Sequence, residues 1–466
     1  MPGRVTERLS SGHRRLDQVL GGGLPSNSIN LVIGAPGTGK TILTQQYAFH
    51  NATAERPALY LSTVSEPFDK ILRYGQSLTF FEPEAVGRRV IYEDLGHVLT
   101  EEGLPGVLRT VDELIKQHRP ALVVVDSFKA LHPFAADERE FRRFVHDLAG
   151  RLTALATSAF WVGEYSSEQS QDAAEFAVAD AIIGLSVKHI AERETRALRV
   201  FKLRGSGFAT GEHTYRITAA GLEVFPRLAD ELDRTHYSLG GDRVSTGVPA
   251  LDELLGEGYW PGASTLVCGP AGVGKTLMGL HFIFKGASLG EPGIIATLQE
   301  DSTQLTRMVG GFGWRLDAPG VHLLARTPVD MYIDEWVHEL LTLIERVGAR
   351  RVMIDSLGDL WMAAGEEMRF REWMYSLTSR LSRAGISALM TLEAPELFDP
   401  VRISERGMSH LSDNVLLLQY LRHDGRLERA LTVLKTRAQR HDPAVRRYEI
   451  TPDGITLAKG VQSLAV

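Results

Sequence analysis

Gly34-Ala35-Pro36-Gly37-Thr38-Gly39-Lys40-Thr41 follows the mostly apolar run Ile29 to Ile33 and opens into a helical pattern, Ile42 to His50. This is the strand–loop–helix setting that a G-x-x-x-x-G-K-[ST] stretch needs in order to bind phosphate. Glycines let successive backbone N–H groups curl around an anion with no Cβ in the way. A helix starting at the loop points its positive dipole end at the same anion. Lys40 then reaches the β- and γ-phosphates of a nucleotide, and the Thr41 hydroxyl ligates Mg²⁺. One such loop can be an ordinary glycine turn, but this one occurs twice. Gly269-Pro270-Ala271-Gly272-Val273-Gly274-Lys275-Thr276 repeats it after the apolar residues Leu266, Val267 and Cys268.

The repetition extends well beyond the loops. Ser11-Gly12-His13-Arg14-Arg15-Leu16-Asp17 and Thr246-Gly247-Val248-Pro249-Ala250-Leu251-Asp252 precede them, and Asp17 lies 235 residues before Asp252, just as Lys40 lies 235 before Lys275. Two copies in register mean duplicated domains, expected over 1–235 and 236–466, with a charged and glycine-containing linker near 229–242.

Within each copy a strand runs into an acidic corner, Ala58 to Glu66 and Ile294 to Glu300, followed by helical patterns Phe68 to Tyr74 and Ser302 to Val309. An amphipathic helix follows, Val107 to Lys116 or Glu335 to Val347. Next come Ala121-Leu122-Val123-Val124-Val125-Asp126-Ser127 and Arg351-Val352-Met353-Ile354-Asp355-Ser356. Continuous β-branched runs fit strands buried on both faces of a parallel sheet. Asp126 and Asp355, at the carboxyl ends, then stand beside the loops where they can hold Mg²⁺ through water.

A further helix and strand end at Glu164 and Glu393, read either as γ-phosphate sensors or as solvated turn acids. Each copy closes on strand-rich hairpins carrying Lys202 and Arg204, or Lys435 and Arg437. Alternation puts each Lys-x-Arg pair on one strand face. They read either as a solvated edge or as cations that reach a neighbouring subunit's γ-phosphate. The fold class is therefore α/β: two tandem P-loop domains, each a mainly parallel sheet with helices on both faces.

Bulk composition narrows the function classes. A chain of 466 residues needs more than one core. Its 44% hydrophobic and 23% charged residues are those of a globular protein. No apolar run reaches the ~18–20 residues of a membrane span, and Met1 to Ser10 has no signal-peptide core, so no membrane is expected. A single cysteine, Cys268, excludes a disulfide framework and fits a reducing cytoplasm. The histidines show no paired metal-ligand spacing, so no zinc is assigned. The net charge of −7 argues against a surface built for nucleic acid. Asn51-Ala52-Thr53 is a chance glycosylation match in a helical setting, and Trp314, Trp336, Trp361 and Trp373 read as core.

Thr246-Gly247-x-x-x-Leu251-Asp252, the loops, the Asp-Ser after the buried strands and the Lys-x-Arg pairs together resemble the KaiC family, RecA-like double-domain ATPases that include the cyanobacterial circadian clock protein. Met408 to Tyr420 is also similar, and the resemblance covers nearly the whole chain. It implies a two-tiered homohexamer with ATP at subunit interfaces. Lys40, Thr41 and Asp126 serve one site and Lys275, Thr276 and Asp355 the other, while Lys202, Arg204, Lys435 and Arg437 act from the neighbouring subunit.

Two departures bear on activity. The clock member has adjacent glutamates at the acidic corner; here Ser65 and Gln299 replace the first of each pair, which leaves Glu66 and Glu300 to orient or deprotonate water. The clock member's Ser-Thr phosphoacceptor pair is reduced to Ser409, followed by His410. Three readings stay open: an ATPase that signals to a partner protein through its nucleotide state, with autokinase activity at Ser409; a RecA-like motor on DNA; and a scaffold that binds ATP without turnover.

Overall fold

The computed structural model describes residues 7–63, 68–165, 173–190, 193–228, 241–329, 331–394, 412–423, 425–437 and 440–458. The chain falls into two compact units, Met1–Arg227 and Leu228–Val466. In the first, the apolar runs become β1 (Ile29–Gly34), β2 (Ala58–Ser62), β3 (Val90–Asp94), β4 (Leu122–Asp126), β5 (Ser158–Gly163), β6 (Ala181–Ile190), β7 (Arg193–Leu203), β8 (Glu212–Thr218) and β9 (Gly221–Phe225). The main helices are α1 (Lys40–Asn51), α2 (Phe68–Gly75), α3 (Gly96–His118), α4 (Glu138–Ala154) and the short α5 (Ala174–Val178).

The second unit repeats the plan with β10 (Ser264–Gly269), β11 (Gly293–Thr297), β12 (Val321–Ala325), β13 (Arg351–Asp355), β14 (Ser387–Glu393), β15 (Asn414–His423), β16 (Arg426–Lys435), β17 (Arg446–Thr451) and β18 (Gly454–Leu457). Its helices are α6 (Lys275–Ser288), α7 (Ser302–Gly310), α8 (Ile333–Val347), α9 (Leu357–Ala364) and α10 (Glu367–Arg383).

Strand order in the first sheet is β9-β8-β7-β6-β1-β5-β4-β2-β3, and in the second β18-β17-β16-β15-β10-β14-β13-β11-β12, the same order shifted by one repeat. From β6 to β3 every pairing is parallel, and β7, β8 and β9 extend the sheet antiparallel. Alternation along β4 explains the two-layered core. Leu122 and Val124 enter the layer that holds Tyr47 and Phe49, while Val123 and Val125 enter the one that holds Phe128 and Phe144. Each such side chain, taken fully from water, stabilises the fold by about 1.5–3 kcal/mol.

The expected helices form with their ends moved by a few residues, save one. The pattern read over Val107 to Lys116 is the second half of α3, whose first half is set off by Gly103 at φ 66°, ψ −160°, with Pro105 just beyond. Those two residues break the helical period, which hides the earlier turns. The four tryptophans read as core pack as core: Trp336 faces Trp373, Trp314 lies against Phe284, and Trp361 meets Phe370. Asn51 spends its amide on the carbonyls of Ser10 and Tyr47. Among the described residues no helix is long and apolar enough to cross a membrane.

The repeated entry motif has a structural purpose. Asp17 accepts from the Ser11 amide and from the hydroxyls of Ser10 and Ser11; Asp252 accepts from the Thr246 amide and the Ser245 hydroxyl. Each motif turn is then clamped to the helix after the loop. In the first unit Gln46 donates to the Ser11 carbonyl at 2.9 Å and accepts from the Leu222 amide at 3.0 Å. The second unit places His281 at the matching position, where its Nε2 accepts from the Ile455 amide at 2.9 Å.

Burial pushes the His281 imidazole from the usual 6.5 down to about 4, against a smaller opposing pull from the Gly247 backbone. The folded state therefore favours the neutral ring. The buried ring costs nothing above about pH 6.5, stability is lost as pH drops through 6.5 toward 4, and the loss amounts to about 3 kcal/mol below that window. His281→Gln is expected to fold and to remove this acid limb. Thermal unfolding at about pH 7 and about pH 4.5 checks it, with the variant's second-unit transition moving less than the wild type's.

Candidate functional site

Both loops lie beyond the carboxyl end of the central parallel strand, where ligands of open α/β sheets bind. The first glycine of each is required by a neighbouring strand: a Cβ on Gly34 would stand 2.3 Å from the Leu185 carbonyl oxygen, and one on Gly269 2.4 Å from that of Leu418. Gly39 and Gly274 precede α1 and α6 at φ 90° and 111°, and no side chain caps either helix start. Backbone donors at the loop are thus left to an anion from outside the chain.

The loop lysines fold back in the same way. Lys40 donates to the carbonyls of Gly34 and Ala35, both at 2.9 Å, and Lys275 to that of Pro270 at 2.8 Å. Burial lowers both ammonium pKa values, with Glu164 and Asp126, or Glu393 and Asp355, pulling the other way. Glu164, one of the strand-end acids, stands 3.7 Å from the Lys40 ammonium.

Beside each lysine, the loop threonine meets the strand-end aspartate. Thr41 Oγ1 donates to Asp126 Oδ2 at 2.8 Å, and Thr276 Oγ1 to Asp355 Oδ2 at 2.6 Å. A hydroxyl and a carboxylate brought together are hard oxygen donors of the kind Mg²⁺ takes, with water and phosphate oxygens filling its remaining positions. The residues fit that ion.

Not every expected residue reaches this centre. Glu66, with Ser65, and Ser409, with His410, lie outside the described residues. Glu300 is half-buried near Asp355, and its Oε2 is enclosed without a hydrogen-bond partner among the described residues. Burial first, then the Asp355 charge, pushes its carboxyl up to about 7. Gln299 turns away, donating to Asp359 Oδ2 at 2.9 Å beside the Ser356 hydroxyl, which donates to the same oxygen at 2.6 Å.

The Lys-x-Arg pairs sit at the opposite end of the sheet from their own loops. Lys202 is opposite Ile182, itself opposite Leu31, three residues short of Gly34. Lys435 is opposite Val415, itself opposite Leu266, three residues short of Gly269. The strand rise makes each separation roughly 10 Å. There Lys202 donates to the carbonyls of Phe176 and Ala177 at the end of α5, and Lys435 to that of Ser412. Arg204 and Arg437 pair with Asp180 and Asp413, whose second oxygens accept from the amides that open the central strands, Ile29 and Ser264.

Several site residues went unseen in the sequence. Tyr215 donates its phenol to the Thr38 carbonyl at 2.6 Å, and Tyr448 does the same to Val273, so the outer antiparallel strands grip each loop. A signal existed: Tyr215-Arg216-Ile217-Thr218 recurs as Tyr448-Glu449-Ile450-Thr451. Arg196 donates to the Gly37 carbonyl at 2.7 Å. Tyr60 and Thr391, which bond to Asp126 and Asp355, have no repeated partner that could betray them.

A family description of the KaiC ATPase matches residues 9–229 and again 244–461, one match in each unit. The chain belongs to the KaiC ATPase family. Among its relatives is the circadian clock oscillator protein KaiC of Rippkaea orientalis, 28% identical over 479 residues that cover 97% of this chain and 90% of the relative. The KaiC of a Picosynechococcus species is 28% identical over 95% of this chain and 88% of its own. The circadian clock protein KaiC3 of a Synechocystis species is 26% identical over 97% and 92%.

Within this KaiC-family chain the two tyrosine anchors should be separable from one another, since each bonds to its own loop. Tyr448→Phe removes one hydrogen bond to the loop, a loss of about 1 kcal/mol. Calorimetric titration with nucleotide is expected to show second-site affinity down about five-fold and first-site affinity unchanged.

Proposed function

We propose that this KaiC-family protein binds Mg-ATP in both units and hydrolyses it to ADP and phosphate as a homohexamer. The observation that carries the reading is the repeated bond from loop threonine to strand-end aspartate, at the mouth of a loop whose backbone donors no side chain caps. The loop amides and Lys40 or Lys275 take the β- and γ-phosphates. Thr41 with Asp126, and Thr276 with Asp355, hold the magnesium ion, which neutralises charge on the phosphate oxygens when bound.

Glu300 orients and deprotonates the attacking water in the second site; its raised affinity for a proton suits a base working near neutrality. Glu66 is assigned the same part in the first. Lys202 and Arg204, with Lys435 and Arg437, lie too far from their own loops and act on a neighbour's γ-phosphate, which is what calls for the ring. The finer reading adds Ser409 as a phosphoacceptor and a partner protein that senses the nucleotide state, as the clock role of the relatives suggests.

A second reading keeps the nucleotides but not the turnover. It is favoured by Gln299, a neutral amide engaged with Asp359 where the clock member has a carboxylate.

Phosphate release separates the two. Wild type is expected to release phosphate well above a Lys40→Ala, Lys275→Ala double variant; equality of the two would leave only the scaffold. In a Lys40→Ala background, Glu300→Gln is expected to slow release by about 10²–10⁴-fold with nucleotide still bound. Light scattering with Mg-ATP should give a hexamer, and a monomer under those conditions would remove the neighbour's role from Arg204 and Arg437. Within the hexamer, Arg437→Ala should cut second-site turnover by about 10³-fold or more.

A further inference from the structure

The two sites hold their aspartates by different means. Tyr60 is fully buried on β2, next to β4, and its phenol donates to Asp126 Oδ2 at 2.8 Å. The same oxygen receives the Thr41 hydroxyl. Thr44, one turn further along α1, lies 3.3 Å from the Tyr60 oxygen. In the second unit the position matching Tyr60 is Ile295, a buried side chain with nothing to donate. There the help comes from the other side: Thr391 on β14, fully buried, donates to Asp355 Oδ1. The first-unit residue at that place is Val162, opposite Asp126 on β5. Each copy thus has a donor where the other has an aliphatic side chain.

We infer that Tyr60 is a positioning residue for the magnesium-bearing carboxylate of the first site, the part Thr391 plays in the second. This rests on the Mg-ATP reading above. A loop threonine that ligates a metal ion through its oxygen keeps its O–H for the aspartate, but that donor is carried with the loop. One fixed donor must then keep the carboxylate aimed, and in the first unit Tyr60 supplies it from a strand that does not move with the loop. Packing alone does not call for a phenol, because Ile295 fills the equivalent space in the second sheet. Buried and beside Asp126, the phenol stays protonated and remains a donor.

The experiment uses the full chain in a Lys275→Ala background, so that the first site alone reports. Binding of a non-hydrolysable ATP analogue is followed by calorimetry as Mg²⁺ is raised. Tyr60→Phe is expected to move the Mg²⁺ dependence about 10-fold or more to higher concentration, the usual effect of removing a hydrogen bond that orients a metal ligand. Metal-free affinity for the analogue should stay as it was. Adding Val162→Thr to Tyr60→Phe transplants the second unit's donor and should restore the dependence. An unmoved Mg²⁺ dependence in Tyr60→Phe, or an equal loss with and without metal, overturns the inference and makes Tyr60 a core residue. A shift without rescue by Val162→Thr keeps Tyr60 and overturns its equivalence with Thr391. If the background protein itself binds no analogue with Mg²⁺, the nucleotide reading fails first, which is a different result from a Tyr60→Phe that behaves like its parent.

Discussion

A hydroxyl on a helix and a carboxylate on a strand two places away meet in each half of this molecule, and the rest of the architecture serves that meeting. Thr41 lies in the first turn of α1, directly after the loop that leaves β1, while Asp126 ends β4, with β5 lying between. Only a parallel arrangement brings the carboxyl ends of β1 and β4 to one edge, and strands buried on both faces hold that edge in place. The second half repeats the solution through Thr276 and Asp355. Once the two oxygens stand together beside an uncapped helix start, a divalent ion and a chain of phosphates are the chemistry they suit.

Much of this could be read from residue order. The duplicated loop, the β-branched runs ending in aspartate and the constant spacing between copies gave the sheet its strands and the site its centre. Such features are local: glycines at a tight turn, an apolar run, a charge at its end. What stayed hidden depends on residues far apart in the chain. Tyr215 meets Thr38 only because the sheet curls its last strands back to the loop, and Gln46 joins Ser11 to Leu222 across most of the unit. The recurrence of Tyr-x-Ile-Thr could have exposed the first. Nothing in residue order foretells that Tyr60 and Thr391 share a duty, because duplication marks what is kept and is silent about what has been exchanged.

The exchanges give the two halves separate characters on one scaffold. Gln46 and His281 bind the same pair of chain segments with an amide and with a ring. Buried Leu122 is matched by Arg351, which is equally buried and donates to Glu291 and to the carbonyls of Ser245 and Phe282. Such an ion needs all its partners in place, since losing one strands a charge away from water. The second core is accordingly less tolerant at that strand than the first.

Tyr215 and Tyr448 also tie two regions that a flat drawing of the sheet would keep apart. Each belongs to the outermost hairpin, yet each ends on a carbonyl inside the phosphate cradle. The rim and the cradle are therefore one mechanical piece: a shift of either outer hairpin carries a carbonyl of its own loop with it.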